Sequence, residues 1–227
     1  MKKIILFSVA ALGCISAEAQ TEQGKILLGG SVSYSSNKNT YKETVAPNTV
    51  ETNKYKSSSF GFEPTIGYFL ADNIAVGIYA GINSSKSTFS YENGPYKERT
   101  DKYSTTSFGL FARKYFMVVP TFGFYAGLTA GVGPNKNTET TVPNVGTTTI
   151  VEYKGSSFNA GLNCGVAFFP TPKVGLHLGI GGLGYNSSKL KGDQSTGDGE
   201  NKYSNFNFNL NTVSLNLGLY LFLGGNG

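Results

Sequence analysis

The 227-residue sequence has no tryptophan, two cysteines and one histidine, and only 15% of its residues are charged. Each shortage excludes something. Cys14 belongs to an export leader, which leaves Cys164 alone in the mature chain, so no internal disulfide can form. The formal net charge of +5 is slight and spread over the connections, with no basic cluster of the kind nucleic-acid binding needs. The apolar stretch Ile4 to Leu12 falls far short of the ~20 residues of a membrane-spanning helix. Strong helix formers are scarce. The 30 glycines, with Ser, Thr, Asn, Phe and Tyr, make a mixture that suits strands and turns in a single domain.

The leader is legible in its parts. Lys2 and Lys3 form a basic start, Ile4 to Leu12 the apolar stretch, and Ala17-Glu18-Ala19 supplies small residues where a signal peptidase reads. Cleavage is expected before Gln20, which makes 1–19 a signal peptide and 20–227 the folded domain. A competing reading makes Ala11-Leu12-Gly13-Cys14 a lipoprotein box with Cys14 acylated.

A fourfold repeat organises the rest. Tyr55 to Phe60 returns as Tyr103 to Phe108, as Tyr153 to Phe158 and, shortened, as Tyr203 to Phe206, with the phenylalanines 48, 50 and 48 residues apart. A period near 50 holding two alternating segments is a repeated hairpin, and four hairpins give eight strands. These are expected near 26–36, 57–70, 74–84, 103–116, 122–133, 155–169, 174–185 and 204–223. Short connections (71–73, 117–121 and 170–173) alternate with long polar ones (37–56, 85–102, 134–154 and 186–203), the asymmetry of a membrane barrel.

Each strand has one apolar and one small or polar face. In 122–133, Phe122, Phe124, Ala126, Leu128, Ala130 and Val132 oppose Gly123, Tyr125, Gly127, Thr129 and Gly131. Charge placement decides which face is outside. A soluble barrel would carry Lys, Glu and Asp on its water face, yet the strand cores hold only Glu63, Arg113 and Lys114. A charge facing mid-bilayer costs about 2–4 kcal/mol, so the apolar face is expected outward in lipid and the glycine face inward. Aromatics gather near both strand ends as two belts: Tyr34, Phe60, Phe108, Phe158, Tyr185 and Phe206 at one, Tyr68, Phe116, Phe122, Phe168 and Phe222 at the other. Parity switches once in the last strand, between Phe206-x-Phe208 and Leu215 to Leu221, and predicts a bulge around Asn211-Thr212.

Gly67-Tyr68-Phe69-Leu70-Ala71-Asp72-Asn73-Ile74-Ala75-Val76-Gly77 is similar to the strand-turn-strand signature of Bacteroidota-type outer membrane β-barrel proteins, and Ala19-Gln20-Thr21 to their leader end. Asn216 to Leu223 resembles a C-terminal insertion signal, continued here through Gly224 to Gly227. Over about residues 24–223 the chain resembles the eight-stranded outer-membrane barrels typified by the OmpA transmembrane domain, OmpX and OmpW. The resemblance implies an all-β, antiparallel, up-and-down transmembrane barrel in the bacterial outer membrane, with both termini in the periplasm. Outer membrane lipid, lipopolysaccharide and the barrel assembly machinery are then its partners.

No catalytic, cofactor or metal site is expected. Gly179-Ile180-Gly181-Gly182-Leu183-Gly184 spells a dinucleotide fingerprint, but it lies inside an alternating strand with no helix after it, and is expected to be interior glycine. His177 is inward and deep, with no Ser or carboxylate fixed beside it, and is expected to pack or hydrogen-bond inside. Glu63 and Arg113 share the inward parity at similar heights and are expected to pair, since a buried charge needs a partner. The spacing of Asp193, Asp198 and Glu200 does not fit a calcium loop. The expected function is a non-enzymatic structural or surface-interaction protein, with an external ligand taken through the loops 37–56, 85–102, 134–154 and 186–203. The alternatives are a narrow pore or transporter for small, including apolar, solutes and a lipid-modifying enzyme using His177. The intact mass of the purified protein checks the leader: a chain starting at Gln20 is expected, and an acylated Cys14 terminus would establish the lipoprotein reading.

Overall fold

In the computed structural model, residues 21–45, 48–91, 96–192, 200–209 and 217–224 are described. The expected leader, Cys14 included, and Asn211-Thr212 lie outside them. The described strands are β1 (Ile26–Val45), β2 (Asn48–Ala71), β3 (Ile74–Tyr91), β4 (Tyr96–Val119), β5 (Phe122–Pro143), β6 (Thr149–Thr171), β7 (Val174–Gly192), β8 (Glu200–Asn209) and β9 (Leu217–Leu223). Each of β1 to β7 pairs antiparallel with its neighbour in the chain. β8 pairs with the far half of β7, while β9 pairs with its near half and with β1. β8 and β9 therefore share one stave, and the sheet closes into a ring of eight.

Closure sorts the side chains. Ile66, Ile78, Leu110 and Leu128 point outward and are 46%, 56%, 66% and 59% exposed. Tyr79, Phe111 and Tyr125, from the opposite parity, are buried inside. An outer wall of exposed Leu, Ile, Val and Phe running around the ring is a surface for hydrocarbon, not water. β8 turns Phe206 and Phe208 outward, while β9 turns Leu219, Leu221 and Leu223 outward, so the parity does switch between them. One belt residue is corrected by this. Phe222 faces the interior, 2% exposed, because the even positions of β9 point inward.

β7 holds a second switch that the alternation did not reveal. Cys164 pairs with Gly181 but Gly165 with Gly179, so Ile180 is an extra residue in the ladder. The glycines on either side let the backbone absorb that bulge. Below it Val174, Leu176 and Leu178 take the outward parity; above it Leu183 and Tyr185 do.

Three two-residue turns, at 72–73, 120–121 and 172–173, mark one end of the barrel. Asn73 carries φ 64° in the first, a left-handed conformation that Asn tolerates. The segment before β1 is tied beneath this end: Gly24 N donates to Phe69 O (2.9 Å), Phe69 N to Lys25 O (2.9 Å) and Gln23 N to the Asp72 carboxylate (2.9 Å). Thr21 adds a hydroxyl hydrogen bond to the Asn73 side chain.

At the other end, much of what the composition suggests as loop is strand. The β1–β2 ladder continues to Val45 opposite Asn48, β3–β4 to Ser90 opposite Glu98, and β5–β6 to Thr141 opposite Thr149. Backbone pairing does not need an apolar face, and Thr, Tyr and Val carry strand propensity into water. Strands of 18 to 24 residues in β2 to β6 far exceed the ~9–11 that cross a bilayer. Diagonal ion pairs brace the hairpins: Lys136 Nζ to Glu152 Oε1 (2.7 Å), Lys189 Nζ to Glu200 Oε1 (3.0 Å) and Arg99 Nη2 to Glu139 Oε2 (3.3 Å). The hydrogen bond from Lys136 holds the Glu152 carboxyl below its ordinary range, and those from Lys189 and Lys202 do the same for Glu200. A depressed carboxyl stabilises the fold above its unfolded value, and that contribution is lost as pH falls through the folded one. Carboxyl NMR titration should find both groups ionising below the ordinary ~4.3, and Lys136→Ala should raise Glu152 toward it.

Candidate functional site

The interior is layered. Next to the short turns, Leu27, Phe69 and Phe169 are 0% exposed, Tyr115 1% and Phe222 2%. Their rings interlock, with Phe169–Phe222 centroids 5.5 Å apart, Phe69–Tyr115 5.8 Å and Tyr115–Phe169 6.2 Å. Glycines on neighbouring strands make room for the interior rings. A Cβ on Gly77 would come within 2.5 Å of the Phe111 ring, and one on Gly109 within 2.4 Å of the Tyr79 ring. This layer is a solid plug.

Arg113 and His177 form the layer above. Arg113 Nη1 donates to His177 Nδ1 at 2.9 Å; longer contacts of 3.5 Å run to the hydroxyls of Tyr115 and Tyr220. The guanidinium carbon lies 5.0 Å from the Tyr125 ring centre, 5.1 Å from Tyr220 and 5.5 Å from Phe111, so aromatic faces surround the charge. His177 stacks on Tyr220 at 4.2 Å and is 3% exposed. Guanidinium is always a donor, so His177 Nδ1 is the bare acceptor nitrogen and Nε2 carries the proton.

A chamber of about 420 Å³ opens over this floor. Ser31, Ser33, Glu63, Asn83, Asn163 and the glycines Gly179, Gly181, Gly182 and Gly184 line it together with Arg113 and His177. The fingerprint-like glycines are thus chamber wall. A second space of about 380 Å³ follows toward the long hairpins, lined by Tyr103, Thr105, Ser107, Asn159 and Ser188, and shares Asn83 with the first. Glu63 and Asn83 are exposed to solvent, whereas everything under the floor is buried. Solvent therefore enters from the long-hairpin end.

The expected Glu63–Arg113 pair needs correction. Both line the chamber and the charge of Arg113 acts on Glu63, but among the described residues no contact ion pair joins them. Counting down from Phe60 and Phe108 treats those two as level. The ladder sets Phe60 opposite Ser84, and Ser84 opposite Ser104, four residues before Phe108. Such a stagger is what closing a tilted sheet demands. Arg113 accordingly lies level with Ala75 and, through it, Phe69, six positions from Glu63 along β2. It turns to His177 instead. Tyr115, Tyr220 and Asn163 were not anticipated; the inward parity of Tyr115 beside Arg113 was the available signal for the first.

Among the described residues, His177 has no serine or carboxylate hydrogen-bond partner, and no cluster of three or more His, Cys, Asp or Glu could hold a metal ion. Residues 5–221 match the outer membrane protein beta-barrel domain family. The chain belongs to that family. Its place is therefore the outer membrane, and the hydrocarbon inferred around the apolar wall is that of this bilayer. Among solved structures, Neisserial surface protein A (NspA) is similar at 15% identity, with 88% of this chain and 97% of that one covered and a TM-score of 0.41. The outer membrane protein OprG from Pseudomonas aeruginosa is similar at 13% identity, 92% and 100% coverage and a TM-score of 0.39. AlkL is similar at 16% identity, 92% coverage of both chains and a TM-score of 0.29. Among curated proteins no relative matches the chain.

The plug should dominate stability. Tyr115→Ala in this outer membrane barrel is expected to cost about 3–5 kcal/mol, against about 1 kcal/mol for Tyr115→Phe. Urea midpoints of the refolded protein in detergent check the difference.

Proposed function

We propose that this outer membrane barrel is a non-enzymatic structural and surface-interaction protein that presents long hairpins outside the cell and does not conduct. The observation that carries the reading is the solid layer of Leu27, Phe69, Tyr115, Phe169 and Phe222 across the short-turn end, which turns the lumen into a blind vestibule. An eight-stranded ring has an interior about filled by side chains, so a few rings suffice to close it. Short turns on the periplasmic side and long outer connections are the usual arrangement, and it puts the Thr21–Lys25 clamp and the end of β9 in the periplasm. The hairpins then stand beyond the lipopolysaccharide headgroups, with their paired charges and hydroxyls offered to other surfaces.

His177 serves the floor in this reading and not a reaction. It packs among rings at the chamber floor and is hydrogen-bonded to a cation, with no acid among the described residues to orient it as a base. A narrow pore is the second reading, favoured by the two open chambers above the floor. Planar-bilayer recording separates the two. The purified protein should give a baseline without discrete steps, and reproducible ohmic steps that persist across preparations would refute the closed vestibule.

A further inference from the structure

The chamber holds one positive and one negative side chain, whose charges act on each other across the space without touching. Arg113 contacts only neutral groups: the imidazole of His177, the hydroxyls of Tyr115 and Tyr220, and three aromatic rings. Glu63 stands farther out on the wall, exposed to the chamber, with no hydrogen bond or ion pair among the described residues. A charge inside a ring bathed in hydrocarbon is costly without a counter-charge.

Three buried polar atoms of residues on the same wall have no partner. Arg113 Nε and His177 Nε2 are buried donors with no partner, and Asn163 Oδ1 is a buried acceptor with none. His177, 97% removed from solvent, is fixed by its hydrogen bond to Arg113, and both line the cavity. Each buried polar atom left unpaired costs about 1–3 kcal/mol, so this floor is built to be completed by something that both accepts and donates. The row is held open by Gly127, which pairs with Arg113 on one side and Asn163 on the other. A Cβ there would come within 2.6 Å of Asn163 Oδ1.

We propose that the chamber binds a small zwitterion of the α-amino-acid class. The carboxylate takes the guanidinium edge at Arg113, and the ammonium takes Glu63 and Asn163. The charge pattern selects this class. A plain anion brings a second negative charge toward Glu63, a plain cation a second positive charge toward Arg113, and a neutral solute gives neither a contact partner of opposite sign. A volume of about 420 Å³ lies within the ~300–1,000 Å³ of small-molecule sites. The inference needs only a chamber reached from the long-hairpin end; whether the plug below conducts is a separate question.

His177 is the sole histidine and hydrogen-bonds to the residue that would take the carboxylate, so its imidazole is a single-signal reporter. The protein is purified from the outer membrane in a nonionic detergent, since a zwitterionic one would compete, and carries [¹⁵N]histidine. L-alanine, N-acetylalanine and alaninamide are titrated separately. L-alanine should move the His177 resonances saturably, while the other two, each lacking one charge, should not. Glu63→Gln, which keeps size and shape, should still fold and should weaken the alanine response at least about tenfold. Absence of a saturable shift with L-alanine overturns the proposal. So does an equal response to N-acetylalanine or to alaninamide, which would mean a site for a single charge, and so does full binding by the Glu63→Gln barrel. Conductance recordings decide the vestibule independently, so either idea can fail alone.

Discussion

A backbone immersed in hydrocarbon has no water to bond, so every N–H and C=O in that layer must find a partner inside the protein. The rest of the structure follows from this. A sheet meets the demand only by closing on itself, and here β9 completes the ring by pairing with both β1 and β7. Closure abolishes the edges and fixes which side of each strand is outside. It also makes the charge distribution legible, because a lipid-facing lysine is expensive and an inward arginine can be sheltered.

The closed ring then sets a packing problem within. Its bore is narrow, and the rings of Tyr79, Phe111, Tyr125 and Tyr220 project into it from four different strands. The glycine-rich parity solves this by giving each ring a neighbouring backbone without a side chain, as at Gly77 and Gly109. Apolar burial fills the turn end, and aromatic faces let a guanidinium sit above it. The same glycines that look like a nucleotide motif in β7 keep a polar space open over that floor. One structural device yields both plug and chamber.

Beyond the bilayer the rules change but the ladder continues. Water competes for the backbone there, and the outward face becomes Ser, Thr, Lys and Glu in place of Leu and Phe. Cross-strand ion pairs such as Lys136–Glu152 and Arg99–Glu139 link neighbouring strands where the apolar wall stops. Exposed pairs of this kind are individually weak, so the hairpins depend on the rigid ring at their base for their order. The result is a stiff polar crown on a greasy cylinder.

Alternation, the 48-to-50-residue repeat and the exclusion of charge from strand cores were enough to specify the barrel, its eight staves, the outward face and the inward placement of Glu63, Arg113 and His177. All of these depend on local pattern, since the period of two is a property of one strand at a time. The extent of the hairpins was missed because polar strands and polar loops share a composition. Phe222 was assigned to a belt by its place at the strand end, although the outward parity of Leu215 to Leu221 already turns it inward; the bulge at Ile180 was missed because one extra residue reverses a face without changing which residues are apolar. The partner of Arg113 could not be read at all. It lies 64 residues away on β7, and only the stagger of a closed, tilted sheet sets which inward residues of distant strands stand at one height. The chain alone decides the parity of each stave; the closure decides which of them meet.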